Sequence, residues 1–251
     1  MLLAADVGNT QTVLGLYGDG ELADHWRLAT ERSSTADELG VLLSGLLDLD
    51  GVDGICLAST VPVLVREWET LAAKWVHVPV LVVGPGVKTG IPIRYDDPRE
   101  VGPDRIVNAV GALARYRSPL IVIDFGTATT FDCVNARGEF LGGAIAPGLT
   151  TSMDALLTRA ARLYRVELVR PKEAIGRNTV TNIQSGVVYG YAGLVDGIVE
   201  RLRAEMGGAV TVIATGGLAA LISDVARSVQ HVDPDLTLEG LRLAWEHARS
   251  A

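Results

Sequence analysis

The chain has 251 residues, a formal charge of −8 from 30 acidic against 22 basic side chains, and 48% hydrophobic residues. That charge opposes non-specific nucleic-acid binding, which needs a basic footprint, and that apolar content opposes disorder. It leaves open an anionic small ligand, because a few placed cations suffice for one molecule.

In the first half, strands are predicted at Leu2–Asp6, Thr12–Tyr17 and Leu22–Leu28, the last two joined by the turn Gly18-Asp19-Gly20. A helix over about Thr35–Leu47 carries Asp37 and Glu38 in its first turn and Leu39, Leu42, Leu43, Leu46 and Leu47 at helical spacing. A strand at Gly54–Ser59, a helix opening at Pro62 and running to about Lys74, and a strand at Val78–Val83 complete it. Gly84 to Gly102 is rich in Gly and Pro, without periodicity, and ordered loops of that length are usually functional. The second half repeats the pattern with strands at Leu120–Asp124, Thr129–Asn135 and Glu139–Ile145, then a helix from about Thr150 to Tyr164. A long helix at about Thr181–Glu205, a strand at Val210–Thr215, a short helix from Leu218 and a strand near Val229–Val232 follow. The final helix, Leu236 to Arg249, can pack on either half. Meandering strands followed by alternating helix and strand imply an α/β fold with mixed sheets flanked by helices.

Cys56 and Cys133 sit in strand-like apolar runs without C-x-x-C spacing, so buried free thiols and a cytoplasmic location are expected. The N-terminus lacks a basic region before its short apolar run and is expected to be a strand, not a signal peptide. No run approaches the roughly 18 apolar residues of a membrane span. The four histidines, His25, His77, His231 and His247, have no ligand spacing, so a zinc centre is not expected.

The most informative feature is a repeat. Asp6-Val7-Gly8-Asn9-Thr10-Gln11-Thr12 is echoed 118 positions later by Asp124-Phe125-Gly126-Thr127-Ala128-Thr129-Thr130. The offset is close to half the chain and divides it into domains at 1–116 and 117–251. An Asp ending a buried strand, a Gly permitting a tight turn, and then hydroxyls and free N–H groups suit a phosphate and its cation. Two such hairpins facing each other would grip a nucleotide from both sides. Asp6 is expected to orient Mg²⁺ through water, with Gly8, Asn9 and Thr10 donating to phosphates.

Other motifs carry weaker signals. Gly84-Pro85-Gly86-Val87-Lys88-Thr89-Gly90 fails the P-loop spacing, and Ile91-Pro92 stands where a helix should open, so a structural turn is expected. Gly102-Pro103-Asp104-Arg105 opens a helix. Its carboxylate either complements the helix dipole or, with the guanidinium, takes a hydroxyl proton and clamps a substrate carboxylate. Gly142-Gly143 implies a strand that another segment or a ligand approaches closely. Gly216-Gly217 suits either an adenosine contact or a plain strand–helix turn. Arg159, Arg162, Arg165 and Arg170 are expected to form a solvated face.

Together, Asp6 to Thr10, Gly102 to Arg105, Asp124 to Thr130, Gly142 to Gly148 and Gly176-Arg177-Asn178-Thr179 resemble the type III pantothenate kinases, over nearly the whole chain. That family lies within the superfamily of acetate and sugar kinases, actin and heat-shock chaperone ATPases. The resemblance implies two ribonuclease-H-like domains enclosing ATP in a cleft, and transfer of the γ-phosphoryl group of ATP to pantothenate, the first step toward coenzyme A. It implies Asp104 as base, with Tyr95, Gly102, Pro103, Arg105 and Thr179 on pantothenate. Asp6 through Val13, with Thr127, are implied on ATP and its Mg²⁺, and Asp124 on a monovalent cation, K⁺ or NH₄⁺. It also implies a homodimer in which Thr179 can reach in from the partner chain. A sugar or acetate kinase of the same superfamily would lack Gly102 to Arg105, and a non-catalytic relative would be expected to lose Asp104 or Asp124.

Overall fold

The computed structural model describes residues 1–160 and 165–250. The chain forms two compact units, Met1–Ala114 with Asp235–Ala251, and Arg115–Pro234.

The first unit is built on β1 (Leu2–Val7), β2 (Gln11–Gly18), β3 (Glu21–Ala29), β4 (Gly54–Ser59) and β5 (Val80–Val82) in the order β3-β2-β1-β4-β5. Strand β1 runs antiparallel to β2 and parallel to β4. It is paired on both edges and covered on both faces, which is why it reads as a continuous apolar run. One face packs Leu3, Ala5 and Leu14 against α1 (Ala36–Ser44) and α2 (Pro62–Leu71), whose Leu43, Trp68 and Leu71 are buried. Thr35 and Glu38 close a capping box at the start of α1, where Thr35 accepts from the Glu38 N–H at 3.3 Å and Glu38 from the Thr35 N–H at 2.8 Å. The other face packs Ala4, Tyr17, Cys56 and Ala58 against α3 (Pro103–Arg115) and the C-terminal helix (Leu236–Arg249). The sequence left the packing of that last helix open; it lies on the first unit.

The second unit repeats this path with β6 (Leu120–Phe125), β7 (Ala128–Val134), β8 (Phe140–Pro147), β9 (Thr211–Thr215) and β10 (His231–Val232), in the order β10-β9-β6-β7-β8. Strand β6 takes the place of β1, antiparallel to β7 and parallel to β9. Its core joins Ile121, Ile123 and Phe131 to Ala192, Val195 and Val199 of α5 (Thr179–Met206), with α4 (Leu149–Arg159) and α6 (Ala219–Ser223) adding Leu149 and Ile222. The C-terminal helix is α7.

The differences from the predicted elements are local. Helix α5 begins at Thr179 because Asn178 caps it, accepting from the Thr181 N–H at 2.9 Å. Strand β10 keeps only His231 and Val232, and Val229 packs against the core instead. The last four residues of the helix expected to reach Tyr164, and Arg162 of the expected solvated face, lie outside the described residues. At β8, a Cβ on Gly143 would stand 1.6 Å from the Phe131 carbonyl oxygen, so the segment approaching closely is β7. Both cysteines are free and buried, and burial pushes the Cys56 thiol up to about 12. Among the described residues no helix is long and apolar enough to cross a membrane.

Leu241 of α7 is wholly buried against the β1–β4 face. Leu241→Ala should cost about 2–5 kcal/mol, read from urea unfolding of the full chain. A loss far below that range would mean that α7 is not part of this core.

Candidate active site

The residues expected at the site fall on both units: Asp6 through Val13, Tyr95 and Gly102 through Arg105 in the first, and Asp124, Thr127 and Thr179 in the second. Asp6 stands one residue from the end of β1, in register with Val13 of β2 and Ala58 of β4. The chain reverses at Gly8, whose N–H donates to the Gln11 carbonyl at 3.0 Å; a Cβ there would come within 2.9 Å of that oxygen. Two arginines that the sequence reading did not single out reach this hairpin. Arg32 donates to Asn9 Oδ1, and Arg27 of β3 donates to Gln11 Oε1 at 2.8 Å. Thr12 is buried and its hydroxyl meets that of Thr30 at 2.9 Å. Their proximity follows from the β2–β3 register, which no local spacing reveals. Asn9, Thr10 and Gln11 are exposed, and with Arg27 and Arg32 beside them this turn can receive an anion.

The second hairpin turns more tightly, with the Gly126 N–H donating to the Ala128 carbonyl at 3.0 Å. The Thr127 carbonyl accepts from the Gly148 N–H at 3.1 Å and the Thr151 hydroxyl at 2.7 Å, which ties the turn to the start of α4. Asp124 is half-buried and in register with Thr130 of β7 and Thr215 of β9. Gly216, at φ +90°, brings its backbone against the carboxylate: a Cβ there would stand 2.5 Å from Asp124 Oδ1. The Thr215 hydroxyl is buried and finds no hydrogen-bond partner among the described residues. A carboxylate, an orphaned hydroxyl and a close backbone suit a large, weakly hydrated cation.

Asp104 and Arg105 lie in the first turn of α3, at the end of the 84–102 segment. That segment is ordered: Thr89 and Ile91 are buried, and a short turn at Pro98–Glu100 is capped by Asp97, which accepts from the Arg99 N–H at 3.0 Å. Tyr95 lies within it, half-buried. The look-alike P-loop at 84–90 is a turn, with the Val87 N–H donating to the Gly84 carbonyl at 3.1 Å, and the next helical turn comes only at Pro98–Glu100. A Cβ at Gly102 would stand 2.5 Å from Asp104 Oδ1, so glycine there lets the carboxylate fold back over its own turn. Oδ1 accepts from the Arg105 N–H at 2.9 Å. Burial pushes the Asp104 carboxyl above the usual range, opposed less strongly by the Arg105 N–H and its guanidinium. A desolvated carboxylate beside a buried arginine can accept a proton and orient an anion.

Thr179 opens α5 and lines a groove of about 700 Å³ between α4 and α5, with Leu149, Met153, Ile183, Val187 and Leu194. Among the described residues no cluster of three or more His, Cys, Asp or Glu could hold a metal.

The Asp104 shift has a sign that can be tested. Between the ordinary value of 3.8 and the raised one, the folded chain holds a proton that the unfolded chain has released. The stability contribution of Asp104 therefore falls as pH rises through that window and remains a cost at pH 7. Asp104→Asn should unfold at a higher temperature than the natural chain at pH 7, with the gain vanishing below pH 3.8. A lower unfolding temperature at pH 7 would contradict the desolvation.

The model of the type III pantothenate kinase family matches residues 2–201. A type III pantothenate kinase from Moorella thermoacetica is 54% identical over 98% of this chain and 99% of its own length. Two solved structures share the fold at low identity. Component A of the (R)-2-hydroxyglutaryl-CoA dehydratase of Acidaminococcus fermentans aligns at TM-score 0.57, 14% identity and 98% of each chain. The inorganic polyphosphate/ATP-glucomannokinase of Arthrobacter sp. strain KM aligns at TM-score 0.54 and 15% identity, over 100% of this chain and 99% of its own. These two show the architecture alone, that of the actin-like ATPases and sugar kinases. Matched by the family model over most of its length, and more than half identical to a curated member across nearly all of both chains, the protein belongs to the type III pantothenate kinase family.

Proposed function

We propose that this chain moves the γ-phosphoryl group of ATP to the primary hydroxyl of pantothenate, giving 4'-phosphopantothenate and ADP. The observation that carries the reading is the desolvated Asp104 beside the buried Arg105, on the first turn of α3. Phosphoryl transfer asks a protein to position groups and to neutralise charge, with one base aimed at the attacking oxygen. Asp104 takes the hydroxyl proton as the new O–P bond forms and the bond to the β,γ-bridging oxygen breaks. Its raised basicity suits that task. Arg105 orients the pantothenate carboxylate, with Tyr95, Gly102, Pro103 and Thr179 as further contacts.

Asp6 through Val13 hold the triphosphate, with Thr127 a further ATP contact. Arg27 and Arg32 lend positive charge at the first hairpin in a chain of net −8. Asp6 would hold the nucleotide's Mg²⁺ through water, since that ion keeps much of its hydration, and the ion would supply positive charge against the charge developing on the phosphates. Asp124 with Thr215 holds a monovalent cation, K⁺ or NH₄⁺. We take the working form to be a homodimer in the cytoplasm. Helix α5 supports this with Gly186, Gly190, Gly193 and Gly197 on one face, the first three with open space beside them. Ile145 and Leu156 are also exposed at 65% and 44%.

The direct test incubates the purified full chain with Mg²⁺, ATP and pantothenate and identifies the product by mass spectrometry. ATP consumption without phosphorylated pantothenate would refute the acceptor.

Two predictions extend it. Asp104→Asn should fold normally and lose about 10²–10⁴-fold in turnover, since the amide cannot take the proton. Turnover equal to that of the natural chain would remove Asp104 from the base role. Activity should rise steeply when K⁺ or NH₄⁺ replaces Na⁺ at constant ionic strength, and Asp124→Ala should abolish that response. Equal rates in the three salts would refute the cation site.

A further inference from the structure

Helix α7 lies beyond the residues matched by the family model, which ends at 201, yet it grips the proposed acceptor side of the first unit. We infer that Thr237 of α7 is a positioning residue for Asp104, an assignment that rests on the reaction proposed above.

Asn108 lies one helical turn beyond Asp104, so both project from the same side of α3. The Asn108 side chain is completely buried, and its Oδ1 accepts from the Thr237 hydroxyl at 2.6 Å. Around this bond the two helices touch backbone to backbone. A Cβ at Gly240 would stand 1.8 Å from the Val107 carbonyl oxygen, and one at Gly111 would stand 2.4 Å from that of Leu236. Each glycine leaves a notch that the backbone of the facing helix fills, which sets how closely the two helices approach. A directional hydrogen bond between fully and partly buried partners fixes the register of one helix on the other.

Helix α7 is itself anchored apart from this bond. Leu238, Leu241 and Ala244 pack on the sheet, and His247 Nδ1 donates to the Thr89 carbonyl at 3.1 Å, holding the 84–102 segment that leads into α3. The contact of Asp104 with the Arg105 N–H is local and moves with the helix. It sets how the carboxylate is turned, whereas the Asn108–Thr237 bond sets where the first turn of α3 lies. A displacement of the base by about 1 Å can cost about 10²-fold in rate.

The test compares Thr237→Val, which keeps the shape and loses the hydroxyl, with Thr237→Ser, which keeps the hydroxyl. Each is made in the natural chain and in Asp104→Asn, with the folded fraction checked by circular dichroism. Thr237→Val should lower kcat by about 10–100-fold while the KM for ATP stays within about 2-fold, and Thr237→Ser should retain most activity. In the Asp104→Asn background, Thr237→Val should change the residual turnover little, because a misplaced base and a missing one are not additive. An unchanged kcat in folded Thr237→Val, or the same fold-loss in both backgrounds, would overturn the inference. If Thr237→Val does not accumulate as folded protein, Thr237→Ala against Thr237→Ser reads the same bond, and equal kcat values would overturn it. Absence of turnover by the unmodified chain would sink the proposed reaction, and this inference with it.

Discussion

Each unit depends on a central strand that is hydrogen-bonded on both edges and buried on both faces along most of its length. In β1 and β6 the apolar run stops at an aspartate, one residue before the strand ends. Such a strand cannot carry a charge in its middle, and it fixes the aspartate's backbone through one register partner on each side. A carboxylate is thereby held at the sheet margin with little freedom, next to a turn that glycine makes tight. Everything proposed for the nucleotide grows from that placement.

Duplication of the frame did not duplicate the surroundings. At the first hairpin the side chains of Asn9 and Gln11 are held by arginines, so the turn presents polar groups and positive charge. At the second, the Thr127 carbonyl is taken up by Gly148 and Thr151, and Gly216 closes on Asp124. The first environment suits phosphate and a hydrated divalent ion. The second, with the orphaned Thr215 hydroxyl, suits a cation that sheds water readily. Two copies of one sequence can thus perform two roles because their neighbours on adjoining strands differ.

The legible part of this protein was local or repeated. Alternating apolar runs, the Gly18-Asp19-Gly20 turn, Thr35 before Glu38 and Pro62 at a helix start gave most elements within a few residues. The 118-residue offset anticipated that both sheets follow the same strand path. The missed features depend on pairings between distant positions. Arg27 meets the first hairpin through the β2–β3 register, Arg32 reaches it from just beyond β3, and Asn108 meets Thr237 across 129 positions. Gly111 and Gly240 look like helix-weakening residues in the sequence; their use appears only when two backbones touch. The desolvation of Asp104 was equally hidden, since burial of a first-turn carboxylate is decided by what packs over it.

The central claim is that the Asp6 hairpin receives the nucleotide and the first turn of α3 receives the acceptor. Amide hydrogen exchange on the full chain, alone, with Mg²⁺ and ATP, and with pantothenate added, tests it most directly. The account predicts that the nucleotide slows exchange across Val7 to Val13 and near Thr127, and that pantothenate adds protection at Asp104 and Arg105. Nucleotide protection confined to residues 84–90, or pantothenate protection that leaves the start of α3 unchanged, would contradict it.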